Sequence, residues 1–447
     1  MKVKHGTLNE SMKFLVTQVK DTEEMSLQIY VKVGSRDESK ELSGISHLLE
    51  HMFFQGSMKY PTVKDLEETI YKCGGNFNAF TSNSETVYHI ECVSKCAETA
   101  CDIASDAFYR SLFDKEKLEN EKKVVLNELK EYQSNPKYIC AQGLQEIAFK
   151  GTLLDKDIGG NPKAVRAVTV QKLKNYVNTH YNGEVVVSLT SKLPISKGED
   201  LLKQYFSEVA HYKSRKSRKS RKSRKSRKSR KSRKPRKSKK ILKDNKRKLY
   251  PDHWSKKRHG DIRYTHHTGK QSFIALAFPS VKYTDVKGQY TMKILSEILT
   301  GYMSSYLYQE LRHERGLIYH VDSGSEFFED MGIFRIHCAT ENTQETVIET
   351  IETITSFLDT VDTHVSEDVL DSAKSHLSHV LSLTDKQVHQ IGFEATQDLV
   401  YLGKVLSTKE KRDYIKGVSL KDIREMASKI FKSQYCFISY TGSSPYL

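Results

Sequence analysis

No stretch of this 447-residue chain approaches the roughly 18 consecutive apolar residues of a membrane-spanning helix, so no transmembrane segment is expected. The opening run MKVKHGTLNESMKF has no apolar core and no arginine-rich amphipathic pattern, so neither a signal peptide nor a transit peptide is expected. Seven cysteines are an odd number, and none stands in a Cys-x-x-Cys pair. That fits a reducing intracellular compartment, cytoplasmic or nuclear, better than a disulfide scaffold. Acids are missing altogether from residues 213–240, which hold 19 Lys and Arg in Ser-Arg-Lys triplets. Without those 19 charges the formal net charge of +16 becomes −3, so the basic character does not belong to the rest of the chain. Such a run repels itself and buries no core, and it is expected to be disordered. It reads as a linker insertion, or as a tract for nucleic acid or an acidic partner.

What is present centres on Ser46-His47-Leu48-Leu49-Glu50-His51-Met52-Phe53-Phe54. Two histidines four apart share one face of a helix and can meet a single metal ion. Glu50 lies within reach of a water beside that ion. The pattern His-x-x-Glu-His is the inverted zincin motif. Ile45, Leu48, Leu49, Met52, Phe53 and Phe54 make the remainder of the helix apolar, which predicts burial. Buried histidines and a carboxylate are costly unless paired or metal-bound.

Catalytic zinc takes three protein ligands and keeps one position open. The next acid-bearing helical stretch is Lys115 to Gln133, with an apolar stripe through Leu118, Val125, Leu129 and Tyr132. Glu121 and Glu128 are seven residues apart, so they lie on one face, beside Val124 and Val125. Acids on a core-facing stripe predict a positive partner there.

His47, Glu50, His51, Glu121 and Glu128 in this order resemble the pitrilysin/insulinase-type zinc metalloproteases. So do the segments GGNFNAFTSNSETVYH (Gly74 to His89), ENEKKVVLNELKEYQSNP (Glu119 to Pro136) and LYQELRHERGLIYHV (Leu307 to Val321). The resemblance implies one Zn²⁺ per chain held by His47, His51 and Glu128, with Glu50 as general base and proton acceptor. It implies a supporting role for Glu121, orienting a ligand histidine through its other ring nitrogen. Asn78, Ala79, Phe80 and Thr81 read by themselves as an ordinary hairpin strand. The family makes the matching strand a sheet edge to which peptide substrate adds as another strand. Arg312 and Tyr319 carry no legible chemistry in isolation. The resemblance implies that they act near the substrate and the tetrahedral intermediate. Short members of the family close as homodimers or heterodimers into a chamber, which would place Arg312 and Tyr319 at a partner's zinc.

The length predicts two domains of about 200 residues, and 37% hydrophobic residues suffice for packed cores. The expected fold class is α+β: two similar domains, each a mainly antiparallel sheet covered by helices. The boundaries are a catalytic zinc-binding domain over 1–210, a disordered basic linker over 211–255, and a metalloprotease-like domain over 256–447 with no zinc motif. The function expected is zinc-dependent hydrolysis of peptide bonds in unstructured peptides or presequences. The alternatives are a non-catalytic scaffold of the same fold and a nucleic-acid-binding protein acting through the basic repeat.

Overall fold

The computed structural model describes residues 1–207, 247–256, 260–384 and 387–447. The Ser-Arg-Lys repeat lies outside the described residues.

Two sheets share one plan. The first runs in the order β1 (Lys2–Asn9), β2 (Met12–Gln18), β6 (Val185–Ser191), β3 (Glu24–Val31), β5 (Thr86–Val93) and β4 (Asn76–Thr81). The second runs β7 (Ile262–His266), β11 (Phe437–Gly442), β8 (Gln271–Ser280), β10 (Gly332–Glu341) and β9 (Ile318–Phe327). Each contains one parallel pair, β2 with β6 and β7 with β11, and is otherwise antiparallel. From that parallel pair onward the two orders correspond strand for strand. The molecule is α+β with two similar halves.

The strand sequences show why both faces of each sheet are covered. In β3, Met25, Leu27 and Ile29 face one way and Ser26, Gln28 and Tyr30 the other, yet all six are buried. A strand covered on both sides reads as a continuous buried run rather than an alternating one. One face of the first sheet carries α1 (Ile45–Phe53), α3 (Ala97–Arg110) and the helix Ile195–Phe206. Between α1 and α3 comes α2 (Val63–Tyr71), capped by Thr62, whose hydroxyl accepts from the Asp65 amide.

The opposite faces are covered by exchange. Helix α4 (Lys115–Ser134) leads into α5 (Pro136–Ala148), and α5 crosses to the second sheet. There Cys140, Leu144 and Ala148 pack with Ala275, Ala277, Ile333 and Phe437. In return the helix Val388–Leu402 lies on the first sheet, where Ala395, Leu399 and Val400 meet Leu15, Tyr30, Val87 and Val186. Each crossing helix carries a glycine where a side chain would meet the sheet. A Cβ on Gly143 would come 2.8 Å from Ser439 Oγ, and one on Gly392 would come 2.8 Å from Thr190 Oγ1. The two halves are therefore not separable cores.

The linker expected over 211–255 is corrected at its C-terminal end, where Arg247, Tyr250, His253 and Trp254 are held against the fold. Arg247 donates to both carboxylate oxygens of Asp37, at 3.0 and 2.7 Å. The Trp254 indole donates to the Gly332 carbonyl at 2.8 Å. Between them runs a buried pair, Arg36 to Asp330, at 2.9 Å, with side chains 0% and 1% exposed. Seven cysteines are free thiols, and among the described residues no helix is long and apolar enough to cross a membrane.

Candidate metal centre

Helix α1 presents the motif as its helical spacing requires. Ile45, Leu48, Leu49, Met52 and Phe53 are buried in the first core. His47, Glu50 and His51 occupy the remaining face, which is only partly buried. This corrects the expectation of a helix buried all round: the polar face stays reachable from solvent. The N-terminus of α1 is fixed from outside. Its N-cap, Gly44, has φ 90° and supplies no side-chain cap. A side chain there would be strained in backbone and would also place a Cβ 2.5 Å from the Gly159 carbonyl. Glu38 supplies the missing acceptors, taking the Gly44 and Ser46 amide protons at 2.7 and 2.8 Å. Burial pushes the Glu38 carboxyl up to about 7, despite those amide bonds.

Helix α4 brings the acids. Leu118, Val125 and Leu129 are buried as the stripe requires, while Tyr132, its fourth residue, is exposed, as is Val124. The Asp114 carboxylate caps the helix by accepting from the Glu116 and Lys117 amides. Packing of α4 on α1 places Glu128 Oε2 3.7 Å from His47 Nε2 and 3.6 Å from His51 Nε2. The two Nε2 atoms are 3.3 Å apart. Glu128 Oε1 accepts from the Tyr132 hydroxyl at 2.8 Å, which holds the carboxylate in place. On the far side of His51, Nδ1 lies 3.1 Å from Glu121 Oε2. A carboxylate there can only accept, so Nδ1 carries the proton and Nε2 turns a lone pair toward the cluster.

These atoms fit a divalent cation. A tetrahedral zinc ion with bonds of about 2.0–2.1 Å holds its nitrogen ligands about 3.3–3.4 Å apart, which matches the observed separation of the two imidazoles. Two imidazole nitrogens and one carboxylate oxygen are the donor set zinc favours. The protonation state of His47 agrees. Burial, and then His51, push His47 down to about 4, so it stays neutral and able to ligate. Burial also acts to lower His51, but the Glu121 bond and the carboxylates of Glu50 and Glu128 outweigh it and raise that ring.

Glu50 sits beside the three ligands. Burial raises its carboxyl, against the Thr81 hydroxyl, which donates to Oε2 at 2.7 Å. Thr81 ends β4, and β4 is the edge of its sheet, paired on one side only with β5. Asn78, Ala79, Phe80 and Thr81 therefore lie along an edge that begins at Glu50. The sequence offered no sign that Thr81 would hold Glu50, or that Glu38 would cap α1. Thirty-one residues separate the first pair. Glu38 stands six residues before Gly44, outside the three-residue spacing of a capping box.

Arg312 and Tyr319 are not brought to this cluster. Arg312 lies in a π-helical turn, Gln309–Glu314, and Tyr319 at the start of the edge strand β9. The guanidinium sits 4.6 Å from the Tyr319 ring centre and donates to the Tyr319 carbonyl at 3.1 Å. Tyr319 is 77% exposed.

Residues 13–161 match the family model described as insulinase, peptidase family M16, and residues 167–377 match the model of the peptidase M16 inactive domain. The chain belongs to peptidase family M16. Its M16 relatives include an uncharacterized zinc protease of Rickettsia felis, 26% identical over 95% of this chain and 94% of that protein. An uncharacterized zinc protease of Bacillus subtilis is 25% identical over 99% of this chain and 100% of that protein. The human mitochondrial-processing peptidase subunit beta is 32% identical over 40% of this chain and 37% of that protein. The fold is shared with a crystal structure of a protease from Helicobacter pylori, at TM-score 0.84 and 17% identity, over 99% of this chain and 100% of that chain. Within this M16 chain the metal-type cluster falls in the first matched region, and the second holds no His-x-x-Glu-His.

Proposed function

We propose that this M16 protein is a zinc-dependent endopeptidase acting on extended, unstructured peptides. The observation that carries this reading is the meeting of three ligand atoms, from His47, His51 and Glu128, beside a carboxylate tied to a sheet edge. Zinc held by those residues would supply Lewis-acid polarisation of the scissile carbonyl and make a nearby water more acidic. Glu50 takes the proton of the attacking water and delivers it to the leaving amine, the two halves of a general-base and general-acid cycle. Thr81 fixes the carboxylate rotamer for both transfers. Glu121 holds the His51 ring through Nδ1. The edge of β4 pairs with the substrate backbone, Asn78 to Thr81 serving as the strand it extends. Backbone pairing gives affinity with little demand on sequence, and it requires a substrate without structure of its own.

Arg312 and Tyr319 serve the site of a second chain. What supports this is the exposure of Tyr319 on the edge of the other sheet, with the half-buried Arg312 over its ring and neither side chain bonded to its own chain's cluster. A tyrosine hydroxyl presented there can donate to a developing oxyanion.

The experiment is cleavage of an unstructured peptide library by the purified protein and by Glu50→Gln, with bound metal quantified in both. Cleavage by the wild type alone, with about one ion per chain at this site in both proteins, is the expected result. Metal in both and cleavage by neither, under conditions where chains associate, assigns a scaffold role instead.

A further inference from the structure

A second set of ligand-type side chains lies outside this site, where the exchanged helix Val388–Leu402 meets the first sheet. His89 and Glu91 stand two apart on β5 and so share a face, and His389 is on the first turn of the helix. Glu91 Oε1 lies 3.1 Å from His89 Nδ1 and 3.0 Å from His389 Nδ1. The two ring centres are 4.3 Å apart, and the three ligand atoms fall within 4.8 Å of one another. We propose that His89, Glu91 and His389 form a second divalent transition-metal site, which clips the second half's helix onto the first half's sheet.

The hydrogen bonding leaves these nitrogens to a cation. His89 Nδ1 is buried and makes no hydrogen bond, although Oε1 is so near. Gln28, fully buried beside them, brings its amide nitrogen 3.1 Å from Ser26 Oγ, 2.8 Å from the His389 carbonyl and 3.2 Å from His389 Nδ1. An amide has two hydrogens, and the first two acceptors use them. Gln28 thus does not claim His389 Nδ1, whose remaining neighbour is Glu91 Oε1, and an ion bound there would take the place of a proton between the two. The Gln28 carbonyl oxygen is itself buried without a partner. Two imidazoles and a carboxylate select a metal of the zinc class over calcium or magnesium, which take oxygen ligands. One ion bonding at about 2.0–2.2 Å reaches all three once the rings close on it. Side-chain exposures of 11%, 25% and 29% for His89, Glu91 and His389 leave it an entry path. The donors come from both halves, so an ion here favours the folded assembly over any state in which the helix lifts away.

The test is Zn²⁺ titration of the chelator-stripped full chain by calorimetry, with metal counted independently. The variants are His389→Ala, Glu91→Gln, His51→Ala and the double variant His51→Ala/His389→Ala. About two ions per chain are expected in the wild type, one in each single variant and none in the double, one per three-ligand site. Loss of the ion in His389→Ala but not in His51→Ala would support this site while counting against the first, so the two readings fail separately. Thermal unfolding provides the second measurement, in the His51→Ala background. At zinc 100 times its Kd the folded-to-unfolded ratio rises about 100-fold, and the rise disappears when His389 is also removed. A His389→Ala that binds as many ions as the wild type overturns the proposal.

Discussion

Glu121 Oε2 lies 3.1 Å from His51 Nδ1, on the ring nitrogen facing away from the ligand cluster. The contact fixes both the tautomer and the plane of the ring, which under the proposed function would orient the histidine before metal arrives. Removing such a carboxylate usually lowers metal affinity about 10–100-fold. Glu121→Gln is expected to do so while leaving the helices intact, measured by competition against a chelator of known affinity. Unchanged affinity would make Glu121 a bystander.

Glu38 caps the metal helix at a cost that depends on pH. Its folded pKa is raised from 4.5 to about 7. A group raised in this way contributes stability fully below its unfolded pKa, and the contribution is lost as pH climbs through the folded value. The shift corresponds to on the order of 3 kcal/mol. The stability difference between wild type and Glu38→Gln, from urea unfolding, should therefore shrink steadily between pH 4.5 and 7. A difference that is flat across that window would show that Glu38 is ionised throughout.

The partner-chain role of Arg312 and Tyr319 has a signature of its own. Glu50→Gln and Tyr319→Phe are each expected to be inactive as homodimers. Mixed dimers should regain activity, since one of the two composite sites then has an intact Glu50 and an intact Tyr319. With random pairing about a quarter of wild-type activity returns. Purified variants, mixed after dissociation and reassociation, are assayed against the same peptide library. If mixing restores nothing, both residues act within their own chain or not at all.

The Arg36 and Asp330 side chains join the two halves in full burial at 2.9 Å. Asp330 also accepts from the Tyr250 amide at 2.7 Å, so the packed end of the linker depends on the same carboxylate. Arg36→Met leaves that charge buried without its partner. The expected loss is about 3–5 kcal/mol, the range for breaking one side of a buried pair. Equilibrium unfolding measures it, and a loss below 1 kcal/mol would mean that water reaches Asp330 in the variant.

Much of the centre was legible from spacing. His47 and His51 are four apart, so any helix through them puts both rings on one face. Glu121 and Glu128 are seven apart and share a face for the same reason. The caps at Thr62 and Asp114 are equally local, each accepting from amides two or three residues further on. Spacing said nothing of the contacts that assemble the site across the fold. Glu38 reaches around a turn to cap α1, and Thr81 meets Glu50 across 31 residues. His389 meets Glu91 across some three hundred residues of chain, a meeting that exists only because the two halves exchange helices. A linker read as loose proved packed at Arg247 and Trp254, since their partners, Asp37 and Gly332, lie far off in sequence. The sequence by itself determined which side chains could bind metal and which helix faces they share, through the fixed pitch of a helix. Only the tertiary structure decided which of them meet, because bringing distant segments together is the work of core packing, and that packing leaves no period in the chain.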